Sequence, residues 1–199
     1  MQTTSPDSRL PGKPAGFVLR ACAWCIDAAI VLPLVCLATY LCTDPAAIWQ
    51  AFLSLHRLVS TQAAVAAFDG LDFISFVQSL LSDADIQADA RQLATRLLHM
   101  TFVFIAGFAL ASGVLNVWGE TRAARGSIGK RHAGLAVVDA GSGQGLSVSR
   151  SVLRQLAASL SWLSLNLGHL MAALPPDHTT LHDRLTRTRV IIRVPSSRN

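Results

Sequence analysis

From Phe17 to Cys42 the chain runs FVLRACAWCIDAAIVLPLVCLATYLC, an apolar stretch interrupted by only two charges, Arg20 and Asp27. Roughly 20 helical residues cross a hydrocarbon layer about 30 Å thick, so this run is long enough to span one. It reads as a retained helix and not a cleaved leader. Charges lie inside it, it is longer than an h-region, and no A-x-A site follows. Pro33, in mid-span, predicts a kink of the kind that membrane helices tolerate. Seven residues return a helix to within about 20° of the same face and advance it about 10.5 Å. Arg20 and Asp27 therefore share a stripe at different depths, Arg20 near one end and Asp27 close to the middle. A charge at the bilayer centre costs about 2.5–3.5 kcal/mol on insertion scales. Asp27 must be partnered or used.

The rest of the chain supports a membrane setting. Hydrophobic residues make up 51% of the 199, and charged residues 15%, well below the roughly one quarter usual for soluble domains. Residues 1–16 read as a flexible cytoplasmic arm, and 17–42 as the first transmembrane helix. Residues 43–96 are too polar to span; their periodic patches predict an extracytoplasmic helical insertion with amphipathic helices over Ile48–Val59, Leu71–Leu81 and from Ile86 onward. Residues 97–118 form a second span without charge. Gly107/Ala111 and Ala109/Gly113 repeat at four there, spacing that lets another helix approach closely. The net charge of +5 is unevenly placed. Six basic residues lie in 119–154 and five in 175–199, whereas 43–96 holds six aspartates against three arginines. Such asymmetry is a topology signal with the N-terminus and the basic loops inside. The basic groups flank apolar spans with little aromatic interleaving, which argues against a nucleic-acid partner.

Residues 119–151 form a basic loop in which AGLAVVD has strand character and DAGSGQG has turn chemistry. GSIGK within it lacks the spacing of a phosphate loop, so nucleotide binding is rejected. Residues 152–174 are a third hydrophobic segment containing Arg154, Asn166 and His169. A single crossing there would export the basic tail, so a re-entrant hairpin breaking near Ser161–Ser164 is favoured over a span. The tail, 175–199, contains TRVIIRV, a strand able to pair with AGLAVVD. The predicted fold is thus an all-α membrane protein, with two firm transmembrane helices, a third spanning or re-entrant helical segment, and a small cytoplasmic β element.

Three separated segments, AGFVLRACAWCIDAAI, GSIGKRHAGLAVVD and TLHDRLTRTRVI, occur in an order that resembles the RDD family of bacterial membrane proteins, named for one arginine and two aspartates. By resemblance these are Arg20, Asp27 and Asp183, and the loop motif is Gly126, Gly129, Lys130 and Gly134, followed by Leu135 and Val137. The motifs do not cover 43–96. The resemblance implies a multi-pass protein of the bacterial inner membrane and, as the usual suggestion for the family, transport of an unidentified ligand.

Two readings of the charges follow. In one, Asp27 binds a proton, an ion or a small ligand near mid-membrane while Arg20 controls entry. In the other, the protein is a non-transporting adaptor or assembly protein. Asp27 then hydrogen-bonds Ser112 or Asn116 on the second span and locks the helix pair, and Asp183 docks the tail through Arg20 or Lys130. Cys22 and Cys25 read as small apolar residues of a helix, not a redox pair. His178 and His182 lack a third ligand for a metal. No nucleophile, base and orienting group can be assembled, so neither enzyme activity nor a cofactor is expected. The expected partners are the lipid bilayer, a second copy in a homo-oligomer, and an ion or small-molecule ligand.

Overall fold

The computed structural model describes residues 12–163, 171–173 and 178–193. Four helices come first: α1 (Phe17–Cys42), α2 (Pro45–Phe68), α3 (Phe73–Ser82) and α4 (Ala84–Glu120). A short α5 (Ile128–His132), strand β1 (Leu135–Asp139) and α6 (Val148–Leu163) follow. A 3-10 turn at Met171–Ala173, α7 (Leu181–Leu185) and β2 (Thr188–Ile192) complete the described chain. The chain divides into two compact units, Leu34–Gly107 and the remainder.

α1 and α4 are both long and apolar enough to cross a membrane. Large apolar side chains are exposed around α4, among them Phe102, Ile105, Leu110 and Val114. A stable helix that exposes such residues on several faces needs lipid or another helix against them. α4 is 37 residues long, about 55 Å at 1.5 Å per residue. The expected second span is therefore the latter part of one continuous helix that begins inside the insertion.

In Leu34–Gly107, the amphipathic patches become helices with legible starts. Asp44 caps α2 by accepting Ala47 N–H at 2.9 Å, with Pro45 as the first helical residue. Asp72 caps α3 through Ser75 N–H. Asp83 receives Gln62 Nε2 at 2.9 Å and the Ile86 N–H at 3.0 Å, tying α2 to the start of α4. Gly107 lies near Val35 of α1, in line with the small-residue expectation, but a side chain at Gly113 would meet nothing within 4 Å.

The remainder is built on two antiparallel strands, paired from Leu135↔Ile192 to Asp139↔Thr188. Lys13 to Ala15 runs along the other edge of β2: Ala15 N–H donates to Val190 O at 2.9 Å, and Ile192 N–H to Lys13 O at 2.9 Å. Of the expected flexible arm 1–16, the stretch Lys13–Ala15 is held, since an edge strand's free N–H and C=O groups take up the segment just before α1; residues 1–11 lie outside the described residues. Both faces of the sheet are covered. Ala15, Ala23, Leu135, Val137, Leu146 and Val190 form one cluster, and Ala136, Val138 and Ile191 form another. α6 runs from Val148 to Leu163, starting before the expected segment; the break expected at Ser161–Ser164 and the second half of that hairpin fall largely on 164–170, outside the described residues.

Candidate functional site

Asp183 is fully buried on α7, whose start is fixed by a capping box. Thr180 accepts the Asp183 N–H, and the Asp183 carboxylate accepts the Thr180 N–H. The rest of that carboxylate faces two guanidiniums. Arg20 Nη1 lies 2.5 Å from Oδ2, and Arg154 Nη2 lies 2.8 Å from Oδ1. Arg20 also donates to Ala15 O at 3.0 Å and His178 O at 2.8 Å. Its side chain thus pins the entry of α1 to the C-terminal segment. Burial alone would raise the Asp183 carboxyl, but the positive charges of Arg154 and Arg20 overcome it and hold the group well below the usual carboxylate range.

Arg154, near the start of α6, bridges two acids. Its Nη1 lies 2.5 Å from Glu120 Oε1 at the end of α4. Glu120 is fully buried. It also takes Lys130 Nζ at 2.5 Å on Oε1 and the Ser151 hydroxyl at 2.8 Å on Oε2. Lys130 donates in addition to Asn116 Oδ1 at 2.8 Å. Burial pushes the Lys130 ammonium below its ordinary value even though the Glu120 carboxylate works to raise it. The result is a continuous chain of alternating charge, Arg20–Asp183–Arg154–Glu120–Lys130. It fastens α1, α4, α5, α6 and α7 to one another.

Asp27 is arranged differently. It is 7% exposed, accepts the Ser127 hydroxyl at 2.5 Å on Oδ2, and accepts the Gly129 N–H at 2.7 Å on Oδ1. Ser127 is the N-cap residue of α5 and makes no side-chain cap bond of its own. The Asp27 carboxylate instead satisfies a free N–H in the first turn of that short helix. No Lys, Arg or His lies within ion-pair distance of Asp27 among the described residues.

The approach of the loop to α1 depends on glycine. A Cβ on Gly129 would stand 2.0 Å from Ala23 O and 3.0 Å from Asp27 Cγ. On the α4 side, a Cβ on Gly119 would stand 2.6 Å from Gly126 O. A Cβ on Gly126 would stand 3.1 Å from Lys130 Cβ, and Gly134 turns the chain into β1 with φ of 68°.

All seven predicted site residues, Arg20, Asp27, Asp183, Gly126, Gly129, Lys130 and Gly134, lie around this assembly. Two partnerships differ from expectation. Asp27 does not pair with Ser112 or Asn116, because Asn116 is taken by Lys130 and by Ser112 O of its own helix. Lys130 does not reach Asp183, because Glu120 holds it. His178 Nδ1 contacts Ala172 O, and His182 Nε2 contacts Thr180 Oγ1. Glu120, Arg154, Ser127 and Ser151 were not anticipated. Glu120 ends an apolar span and Arg154 interrupts an apolar segment, which is the available signal for both; nothing local pairs them.

The sequence profile of the RDD family matches residues 14–187 of this chain. No curated protein and no solved structure matches it.

Proposed function

Since the chain belongs to the RDD family, we propose that it is a multi-pass protein of the bacterial inner membrane that moves an ion or small ligand by way of Asp27. In this reading the N-terminus and the β element are cytoplasmic, and the insertion is outside. One observation carries it. Glu120 and Asp183 are held by cations, whereas among the described residues both hydrogen-bond donors to buried Asp27 are neutral, the Ser127 hydroxyl and the Gly129 N–H. A hydroxyl can leave a carboxylate, or turn to accept, at far smaller electrostatic cost than a bound guanidinium. A proton or monovalent cation reaching Asp27 replaces the Ser127 donor, and the loop carrying Ser127 becomes the gate.

The test compares the wild-type protein with Asp27→Asn in proteoliposomes under a proton or sodium gradient. The substitution keeps the size and the hydrogen bonds but removes the charge. Flux is expected in the wild type and should vanish in Asp27→Asn at equal protein level and equal melting temperature. If the wild type moves neither ion, the transport reading ends.

A second reading rests on a different observation. Asp183 is saturated by Arg20, Arg154 and its own helix start, which is how a fixed fastening is built. A non-transporting adaptor, locked by Arg20, Asp183 and Asp27 and meeting a partner through its insertion, uses every contact in the site. Such a protein keeps its partner binding in Asp27→Asn and shows no flux in either form.

A further inference from the structure

A second polar site lies in the Leu34–Gly107 unit, away from the charge chain. The C-terminal end of α1, the start of α2 and the middle of α4 line an open cleft of about 420 Å³. Arg96, His99, Asp44 and Thr43 supply its polar lining, and Leu41 and Ile48 its apolar wall. Arg96 immediately precedes the uncharged part of α4, and Cys42 ends α1. The cleft therefore lies at the membrane–water boundary, on the side of the insertion.

The charges in this cleft are unspent. Arg96 Nε is buried with no hydrogen-bond partner, a costly state for a charged donor. Asp44 uses Oδ1 to cap α2 through Ala47 N–H. Although both line the cleft, Arg96 and Asp44 form no ion pair. A cation and an anion that line one cleft with an apolar wall and form no ion pair with each other fit a ligand carrying the reverse pair of charges and a hydrocarbon tail.

We propose that this cleft binds a zwitterionic phosphodiester headgroup of the phosphoethanolamine type. Its phosphate meets the Arg96 guanidinium, whose planar fork suits phosphate oxygens, and its ammonium meets the open oxygen of Asp44. The acyl chains run down past Leu41 into the bilayer. A doubly charged anion is disfavoured because the Asp44 carboxylate lines the same cleft. The assignment is independent of any transport by Asp27.

The experiment is native mass spectrometry of the full-length protein released from nanodiscs of equimolar phosphatidylethanolamine, phosphatidylcholine and phosphatidylglycerol. Binding of glycerophosphoethanolamine is measured in parallel in detergent. One retained phosphatidylethanolamine per chain is expected, reduced about tenfold in Arg96→Gln, as loss of a charge-assisted contact implies. Arg96→Lys should restore part of it. Asp44→Asn keeps the helix cap and should abolish the preference for phosphatidylethanolamine over phosphatidylglycerol. Tight binding of glycerophosphoethanolamine alone would replace the lipid by a soluble ligand of the same headgroup chemistry and overturn the lipid assignment. Preferential retention of phosphatidylglycerol, or equal retention by Arg96→Gln at unchanged melting temperature, would overturn the site.

Discussion

At Gly129 a single hydrogen atom decides whether the basic loop reaches α1. Any side chain there collides with Ala23 O, a backbone atom inside a helix that has little room to retreat. Gly129→Ala is thus expected to break both hydrogen bonds to Asp27 and to destabilise the protein by about 3 kcal/mol or more, the range for overpacking combined with a buried polar group left unpaired. Thermal unfolding in detergent measures this. Gly113→Ala is the contrast on α4, where the added methyl meets nothing. It should be neutral or stabilising by up to about 1 kcal/mol, from the better helix propensity of alanine. Equal melting temperatures for the two variants would contradict the close approach of the loop.

α7 illustrates how a five-residue element is held by what it carries. Isolated helices that short do not persist in water; this one is fixed by its capping box and by two arginines from α1 and α6. Asp183 makes that fastening dependent on pH. Its carboxyl titrates well below the unfolded value near 3.9, so on acidification the unfolded chain takes up the proton first. The stabilisation is fully present above about pH 5 and is lost as the pH falls through 4 toward the native value. Melting temperature followed from pH 7 to pH 3.5 should fall in the wild type. The slope below pH 5 should be shallower in Asp183→Asn, which has no such proton to gain. If the two curves run parallel, another group carries the dependence.

For the molecule as a whole, the hydrogen bonds of the sheet constrain topology more firmly than hydropathy does. Arg193 N–H donates to Gly134 O at 2.8 Å, so the loop after α5 and the end of β2 must lie on one side of any membrane. Single cysteines at Ser82, Ser142 and Arg193, introduced after replacing Cys22, Cys25, Cys36 and Cys42, test this with an impermeant thiol reagent on intact cells. Ser82→Cys should label from outside, and Ser142→Cys and Arg193→Cys only after permeabilisation. Labelling of Arg193→Cys from outside while Ser142→Cys stays protected would break the β1–β2 pairing as well as the re-entrant reading of 152–174.

The local alphabet was sufficient for much of this protein. Apolar length marks the two spanning-capable helices, the periodic patches mark the helices of the insertion, and the strand character of AGLAVVD and TRVII marks the two strands; the caps at Asp44 and Asp72 came from the structure. Arg20 and Asp27 stand out because charges within an apolar segment have few places to go; Asp183 sits in a polar, basic tail and was picked out only by the family resemblance. The partner of each charge was not legible. Asp27 looks toward Ser112 and Asn116 if helix faces alone are considered; it takes Ser127 and Gly129 because a glycine lets a backbone N–H into contact with α1. Glu120 and Arg154 lie 34 residues apart in sequence, and each is unremarkable in its own window. Their pairing exists only once β1 and β2 close the chain and bring α4, α6 and α7 together. Periodicity and charge placement are properties of a segment, and sequence alone carries them. The alternating chain from Arg20 to Lys130 is a property of distances between segments, which tertiary packing alone decides.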